Sequence, residues 1–73
     1  MTDEKIKTLD HYQVWDIFNA RGICSTYRPD VDGCPVWVTM KDGTNRLAND
    51  EETKLHVQAN DSYLREEAAA GLI

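Results

Sequence analysis

Residues 8–48 carry the pattern that decides the fold: TLDHYQVWDIFNARGICSTYRPDVDGCPVWVTMKDGTNRLA. Within it, residues 8–21 predict a helix, because apolar side chains recur every three to four positions and would form one stripe. Thr8 is the expected N-cap, and Gly22 stands where a left-handed C-terminal cap is expected. The stripe comprises Leu9, Tyr12, Val14, Trp15, Ile17 and Phe18. We expect its aromatic side chains to lie in the core.

Two predicted strands follow the helix, at residues 23–28 and 34–40. Their β-branched and aromatic side chains alternate as in a strand, and the run PDVDG between them, residues 29–33, is a predicted loop. One face of the second strand carries Val36, Val38 and Met40. Trp37 falls on the other face; we expect it in the core, with a partner-binding tryptophan as the alternative.

A tight turn and a less regular C-terminal third complete the predicted elements. Residues 42–43, Asp-Gly, predict a hairpin turn because glycine supplies the positive φ that such turns require, and residues 45–48 form the returning strand. Residues 49–52 resemble a helix capping box, whereas residues 54–59 alternate as a further strand would; we favour the strand. A closing helix is predicted from residue 60 or 61 to residue 70, only partly formed until a partner supplies a surface.

These elements predict an α+β fold: an N-terminal helix packed on a small antiparallel sheet of three or four strands, with a flexible or partly helical C-terminal tail. The 73 residues allow one domain. The predicted organisation is a flexible N-terminus at residues 1–7, a compact domain at residues 8–59 and a C-terminal helix or tail at residues 60–73. A domain of this size buries only about 60% of the surface of its unfolded chain, so we expect modest stability.

The charge and hydropathy of the chain narrow the classes of partner. Eight Lys and Arg residues stand against thirteen Asp and Glu, for a formal net charge of −5. The basic residues form no cluster, so direct nucleic-acid binding is not expected; an acidic surface instead suits a basic protein surface. No apolar run is long enough for a membrane span, and the polar start does not predict a signal peptide. We therefore expect a cytoplasmic monomer without a membrane partner.

No pattern of reactive residues predicts catalysis or a bound metal. Cys24 and Cys34, with His11 and His56, lack the close ligand pairs of structural zinc sites, and buried or half-buried free thiols are the expected state. The sequence contains no nucleophile elbow, glycine-rich phosphate loop or paired-carboxylate motif. The prediction is a protein that is not an enzyme and that uses no cofactor.

Two acidic segments are the candidate partner contacts. Asp30 and Asp32 lie in the predicted loop between the strands, where exposure is expected. The C-terminal segment adds Tyr63, Leu64, Glu66 and Glu67. In this interpretation Tyr63 and Leu64 are apolar anchors, and the glutamates complement a basic groove on the partner. A solvated helix face is the simpler alternative.

Two stretches carry a resemblance to a known family: HYQVWDIFNARGIC at residues 11–24 and CPVWVTMKDGTNRL at residues 34–47. In a chain of this length they resemble the small acidic bacteriophage proteins that inhibit bacterial RNA polymerase, such as a transcription inhibitor and antiterminator of a Xanthomonas phage. The resemblance implies a non-catalytic protein of the infected cell's cytoplasm. It would bind host RNA polymerase, inhibit sigma-dependent initiation and suppress termination. The resemblance assigns no binding residues.

Other classes stay open at this point. A helix followed by a hairpin also fits small winged-helix proteins of the phage excisionase type, with the turn at residues 42–43 as the wing, although such DNA binders are usually basic there. An inhibitor that mimics DNA would array carboxylates at phosphate-like spacing, and thirteen acids interspersed among eight bases suit that role only moderately. An inhibitor of another host protein also fits the acidic composition.

Overall fold

A computed structural model gives the structure of residues 2–28 and 35–71, which form three helices and a three-stranded sheet. In chain order these are α1 (Asp3–Lys7), α2 (His11–Ala20), β1 (Ile23–Tyr27), β2 (Trp37–Met40), β3 (Asn45–Leu47) and α3 (Asp50–Ala69). The strands pair antiparallel in the order β1-β2-β3. This architecture confirms the predicted α+β class, with helices both before and after the sheet.

Helix α2 matches the predicted first helix except at its start. The N-cap is Asp10, not Thr8: the Asp10 carboxylate accepts a 2.8 Å hydrogen bond from the Gln13 amide, and the Gln13 side chain accepts one of 2.9 Å from the Asp10 N–H. This reciprocal pair provides acceptors for two backbone N–H groups, whereas a threonine N-cap alone would provide an acceptor for one. Gly22, at a φ of 74°, ends the helix in the left-handed conformation that the sequence predicts.

Helix α1 lies in the segment that was expected to be a flexible N-terminus. The Thr2 side chain caps it by accepting a hydrogen bond from the Lys5 amide. Ile6 is buried against the core, and Asp3 forms a 2.8 Å ion pair with Lys54 of α3. A single apolar residue within a charged segment produces no periodic signal, so the sequence pattern did not predict this helix.

Helix α3 runs through the predicted strand at residues 54–59 and past residue 60, where a boundary was expected; the strand prediction is wrong. The helix begins with the capping box, in which Asn49 accepts from the Glu52 amide at 2.8 Å and Glu52 accepts from the Asn49 N–H at 3.0 Å. Leu55 and Ala59, four positions apart, share its buried face. The spacing of these apolar residues fits both the alternation of a strand and the four-residue repeat of a helix, and the capping box favours the helix.

The core lies between α2, α3 and the inner face of the sheet. Its largest fully buried side chains are Phe18, Ile23, Leu55, Val14, Val36 and Val38. The sequence placed Tyr12 and Trp15 there as well, but they are 64% and 39% exposed, so that prediction is wrong. Helix α2 packs against both α3 and β1, and it turns Val14 and Phe18 inward. The two aromatic side chains consequently lie on its flank. Trp37, also expected in the core, is half-buried.

The hairpin forms as the sequence predicts. Gly43 has a φ of 92°, and the Asp42 carboxylate accepts a 2.9 Å hydrogen bond from the Thr44 N–H. The β1–β2 connection at residues 29–34, which includes the candidate contacts Asp30 and Asp32, lies outside the described residues.

Candidate functional site

A cleft of about 280 Å³ lies where α2, α3 and the edge strand β1 meet. Its lining side chains are His11, Trp15, Thr26, His56, Ala59, Asn60 and Tyr63. We call it the aromatic cleft after Trp15 and Tyr63, both of which remain substantially exposed. The lining positions on α3 are three to four residues apart and therefore share one helix face.

His11 joins the two helices at the cleft. Its backbone N–H donates to the Ser62 hydroxyl oxygen at 3.2 Å, and its Nδ1 lies 3.3 Å from the same oxygen. Its Nε2 lies 3.2 Å from a carboxylate oxygen of Glu66, which can accept a hydrogen bond from it, and its Nδ1 and the Ser62 hydroxyl share a hydrogen bond. These contacts hold the buried ring in one orientation beside Tyr63.

His56 connects the cleft to the sheet. Its Nδ1 shares a 2.8 Å hydrogen bond with the Thr26 hydroxyl on β1. Burial lowers the pKa of His56 below its ordinary value, and the positive charge of Arg28 lowers it further. The imidazole is therefore neutral at pH 7, and it adds no positive charge to the cleft.

Two glutamates add negative charge at the rim. Glu66 contacts His11, while Glu67 raises the pKa of Tyr63 through a hydrogen bond with its hydroxyl and through its charge. Both glutamates line a smaller hollow of about 200 Å³ that shares His11 and Tyr63 with the aromatic cleft. Aromatic faces and carboxylates thus lie side by side, a combination that attracts cationic side chains.

A second hollow lies between α1 and α3 and serves as a comparison surface. We call it the α1–α3 groove; it has a volume of about 330 Å³ and is lined by Asp3, Ile6, Lys7, Thr53, Lys54, Val57, Gln58 and Asp61. The Lys54–Asp3 ion pair joins its two sides, and the Gln58 amide donates to the Leu9 carbonyl at 2.9 Å. Its polar groups therefore have a structural task, which is to hold α1 on α3.

The structure brings together three of the four C-terminal contacts that the sequence predicted. Tyr63, Glu66 and Glu67 line the hollow that adjoins the aromatic cleft, and Tyr63 also lines the cleft itself. Leu64 is exposed but lines neither. The loop contacts Asp30 and Asp32 lie outside the described residues.

Sequence reasoning missed the side of the cleft that α2 supplies. His11 and Trp15 were assigned to no site, because the three-to-four spacing of the helix indicated only a buried stripe. His56 was missed because it was placed on a strand. No local signal separates Trp15 from Val14, because both fit the apolar stripe, and only the packing of α2 against α3 and β1 shows which of the two is buried.

The described segments, residues 2–28 and 35–71, contain no group of three or more His, Cys, Asp or Glu side chains that could hold a metal ion. Cys24 is a free thiol but it is exposed, so the prediction that it is buried or half-buried is wrong; Cys34 lies outside the described residues. None of the helices in these segments has the length and apolar character needed to cross a membrane.

Comparisons of the chain with protein families, with curated proteins and with solved structures find no match.

The lowered pKa of His56 leads to a pH-dependent stability. In the unfolded chain His56 has its ordinary pKa, so as the pH falls the unfolded chain takes up a proton at His56 before the folded protein does. The stability that is present above about pH 6.5 is therefore lost as the pH falls below that value. We expect the Tm to fall between about pH 7.5 and about pH 5.5, and to fall less in His56→Asn, which keeps a hydrogen-bonding group for Thr26. Thermal unfolding followed by circular dichroism checks this; equal slopes in both proteins would contradict it. His11 is common to both proteins and cancels in the comparison.

Proposed function

We propose that the protein is a non-enzymatic phage regulator that binds host bacterial RNA polymerase through the aromatic cleft, inhibits sigma-dependent initiation and suppresses termination. The observation that carries this proposal is the exposure of Trp15 and Tyr63 beside Glu66 and Glu67. Tryptophan and tyrosine are enriched among the residues that dominate binding energy at protein interfaces.

Electrostatics supports a polymerase as the partner. An enzyme that holds DNA and RNA presents Lys and Arg to phosphates, so it offers basic surfaces. A chain with a net charge of −5 is steered towards such surfaces, and rim carboxylates complement them on contact. The resemblance of residues 11–24 and 34–47 to phage inhibitors of this enzyme supports the same partner.

Four of the eight basic side chains make contacts within the protein, which favours protein binding over DNA binding. Arg21 pairs with Glu51, Arg46 forms two hydrogen bonds with Glu52, and Lys54 pairs with Asp3. Lys41, beside the hairpin turn, donates to the Asn19 carbonyl at 3.3 Å. Side chains engaged in this way are less available to phosphates, which disfavours the winged-helix alternative.

The direct test has two parts. Tagged protein is first used to capture partners from bacterial lysate treated with nuclease. The protein is then added to purified polymerase, with and without sigma, and transcription is measured on promoter and terminator templates. We expect stoichiometric recovery of polymerase subunits, fewer promoter-initiated transcripts and more read-through. Recovery of nucleic acid, or of one different host protein in place of polymerase, would contradict the proposal.

Charge reversal at the rim is a sharper test. We expect Glu66→Lys combined with Glu67→Lys to weaken polymerase binding by about 10-fold or more at low salt, and by less at high salt, because salt screens charges that lie near water. The matched control is Glu4→Lys with Asp61→Lys, which changes the net charge equally but lies on α1 and at the α1–α3 groove. Equal losses in the two double variants would show that net charge alone, and not the rim, sets the affinity.

A further inference from the structure

We infer that the aromatic cleft binds an arginine side chain of the partner, with the guanidinium against the faces of Trp15 and Tyr63 and its N–H groups towards the rim carboxylates. This inference rests on the proposed function, and it specifies the chemistry of the partner at that site. The same cleft would not select lysine or an apolar side chain.

The aromatic side chains that border the cleft favour a planar cation. Trp15 is 39% and Tyr63 is 50% exposed, so a substantial part of each side chain remains accessible for contact with a ligand. A guanidinium is planar and weakly hydrated, and it stacks on aromatic rings; an ammonium group is compact and holds its water strongly. A cleft bordered by two aromatic side chains therefore favours arginine.

Hydrogen-bond acceptors also lie at the cleft and in the adjoining hollow. Glu66 contacts His11 of the cleft, and Glu67 lies close enough to the Tyr63 hydroxyl to raise the pKa of Tyr63. The Asn60 side chain, which also lines the cleft, carries a further acceptor in its amide oxygen. Arginine offers five N–H donors in a fixed plane and can bond to several of these oxygens while its face contacts a ring.

The charge around the cleft is net negative. His56 is neutral at pH 7, and the cation that affects it is Arg28, an exposed side chain beyond the end of β1. Against this one positive charge, Glu66 and Glu67 in the adjoining hollow contribute two negative charges. A single incoming cation therefore meets net negative charge, whereas a carboxylate ligand would be repelled.

The test titrates isotope-labelled protein with three probes: N-acetyl-arginine amide, its neutral analogue N-acetyl-citrulline amide and N-acetyl-lysine amide. We expect saturable NMR shifts at the Trp15 indole N–H and at Asn60 and Tyr63, with arginine binding about three-fold or more tightly than either other probe. Glu66→Gln should weaken arginine binding several-fold, whereas Val57→Ala in the α1–α3 groove should leave it unchanged. Equal binding of lysine or citrulline, or shifts away from the cleft, would overturn the inference.

The outcomes separate this inference from the proposed function. If polymerase is captured and Trp15 variants lose it, but arginine binds no better than lysine, the arginine inference is wrong and the proposed function stands. If arginine binds in the cleft but polymerase is not captured, the partner is a different arginine-bearing protein and the polymerase proposal is wrong.

Discussion

Replacing Trp15 and Tyr63 together with alanine is expected to weaken binding to RNA polymerase by about 100-fold, because each aromatic side chain buries a large apolar area at an interface centre. Each single replacement should lose about 10- to 30-fold, and the two losses are not expected to add fully, since both rings border one cleft. Affinity for the purified enzyme, measured by biolayer interferometry, checks this.

The control for this prediction is Val57→Ala. Val57 is as exposed as Trp15, at 39%, but lies in the α1–α3 groove. We expect its replacement to leave the affinity within about two-fold, as is usual for residues outside the energetic centre of an interface. Tyr63→Phe, which keeps the ring and removes only the hydroxyl, should retain most of the affinity. Because Trp15 contacts Phe18, the folded state of each variant is verified by circular dichroism. A fully folded double variant with native affinity would exclude the cleft as the contact.

Replacing Glu52 with alanine is expected to lower the free energy of unfolding by about 3 kcal/mol. Glu52 is 2% exposed and accepts hydrogen bonds of 2.7 and 2.8 Å from the two terminal nitrogens of Arg46. It also accepts from the Asn49 N–H in the capping box of α3. Alanine would therefore leave the guanidinium without this partner and remove half of the helix cap. For a domain of this size the loss is a large share of a total of about 4–11 kcal/mol.

Urea denaturation of Glu52→Ala and Glu51→Ala provides the measurement and its control. Glu51 pairs with Arg21 nearer the surface, and surface pairs contribute about 1 kcal/mol or less. Arg46 lowers the pKa of Glu52, so its contribution is present above about pH 4.5 and is lost as the pH falls below that value. The difference between wild type and Glu52→Ala should shrink on acidification. Equal stabilities for the two variants at neutral pH would contradict the structural role given to Glu52.

Local signals in the sequence were sufficient to predict that α2 ends at Gly22 and that the hairpin turns at Gly43. Both positions have a positive φ, which glycine favours, so a glycine at these points of the sequence indicates the helix end and the turn without tertiary information. Helix α3 was harder, because Leu55 and Ala59 satisfy a strand period of two and a helix spacing of four equally well. The capping box at residues 49–52 contains the information that distinguishes the helix from the strand.

The candidate site was predicted only where charge and composition sufficed. Tyr63, Glu66 and Glu67 could be chosen from an acidic, helix-forming segment. His11 could not, because its partner Ser62 lies 51 positions away along the chain. Trp15 could not either: its exposure follows from how α2 packs against α3 and β1, and no local pattern encodes that geometry.

Site-specific photo-crosslinking tests the central claim most directly. A benzophenone side chain is placed at position 63 in the aromatic cleft or at position 57 in the α1–α3 groove, and each protein is irradiated with purified RNA polymerase. We expect a cross-link to a polymerase subunit from position 63 and none from position 57. Cross-linking from position 57 alone, or from neither position when the complex has formed, would contradict binding through the aromatic cleft.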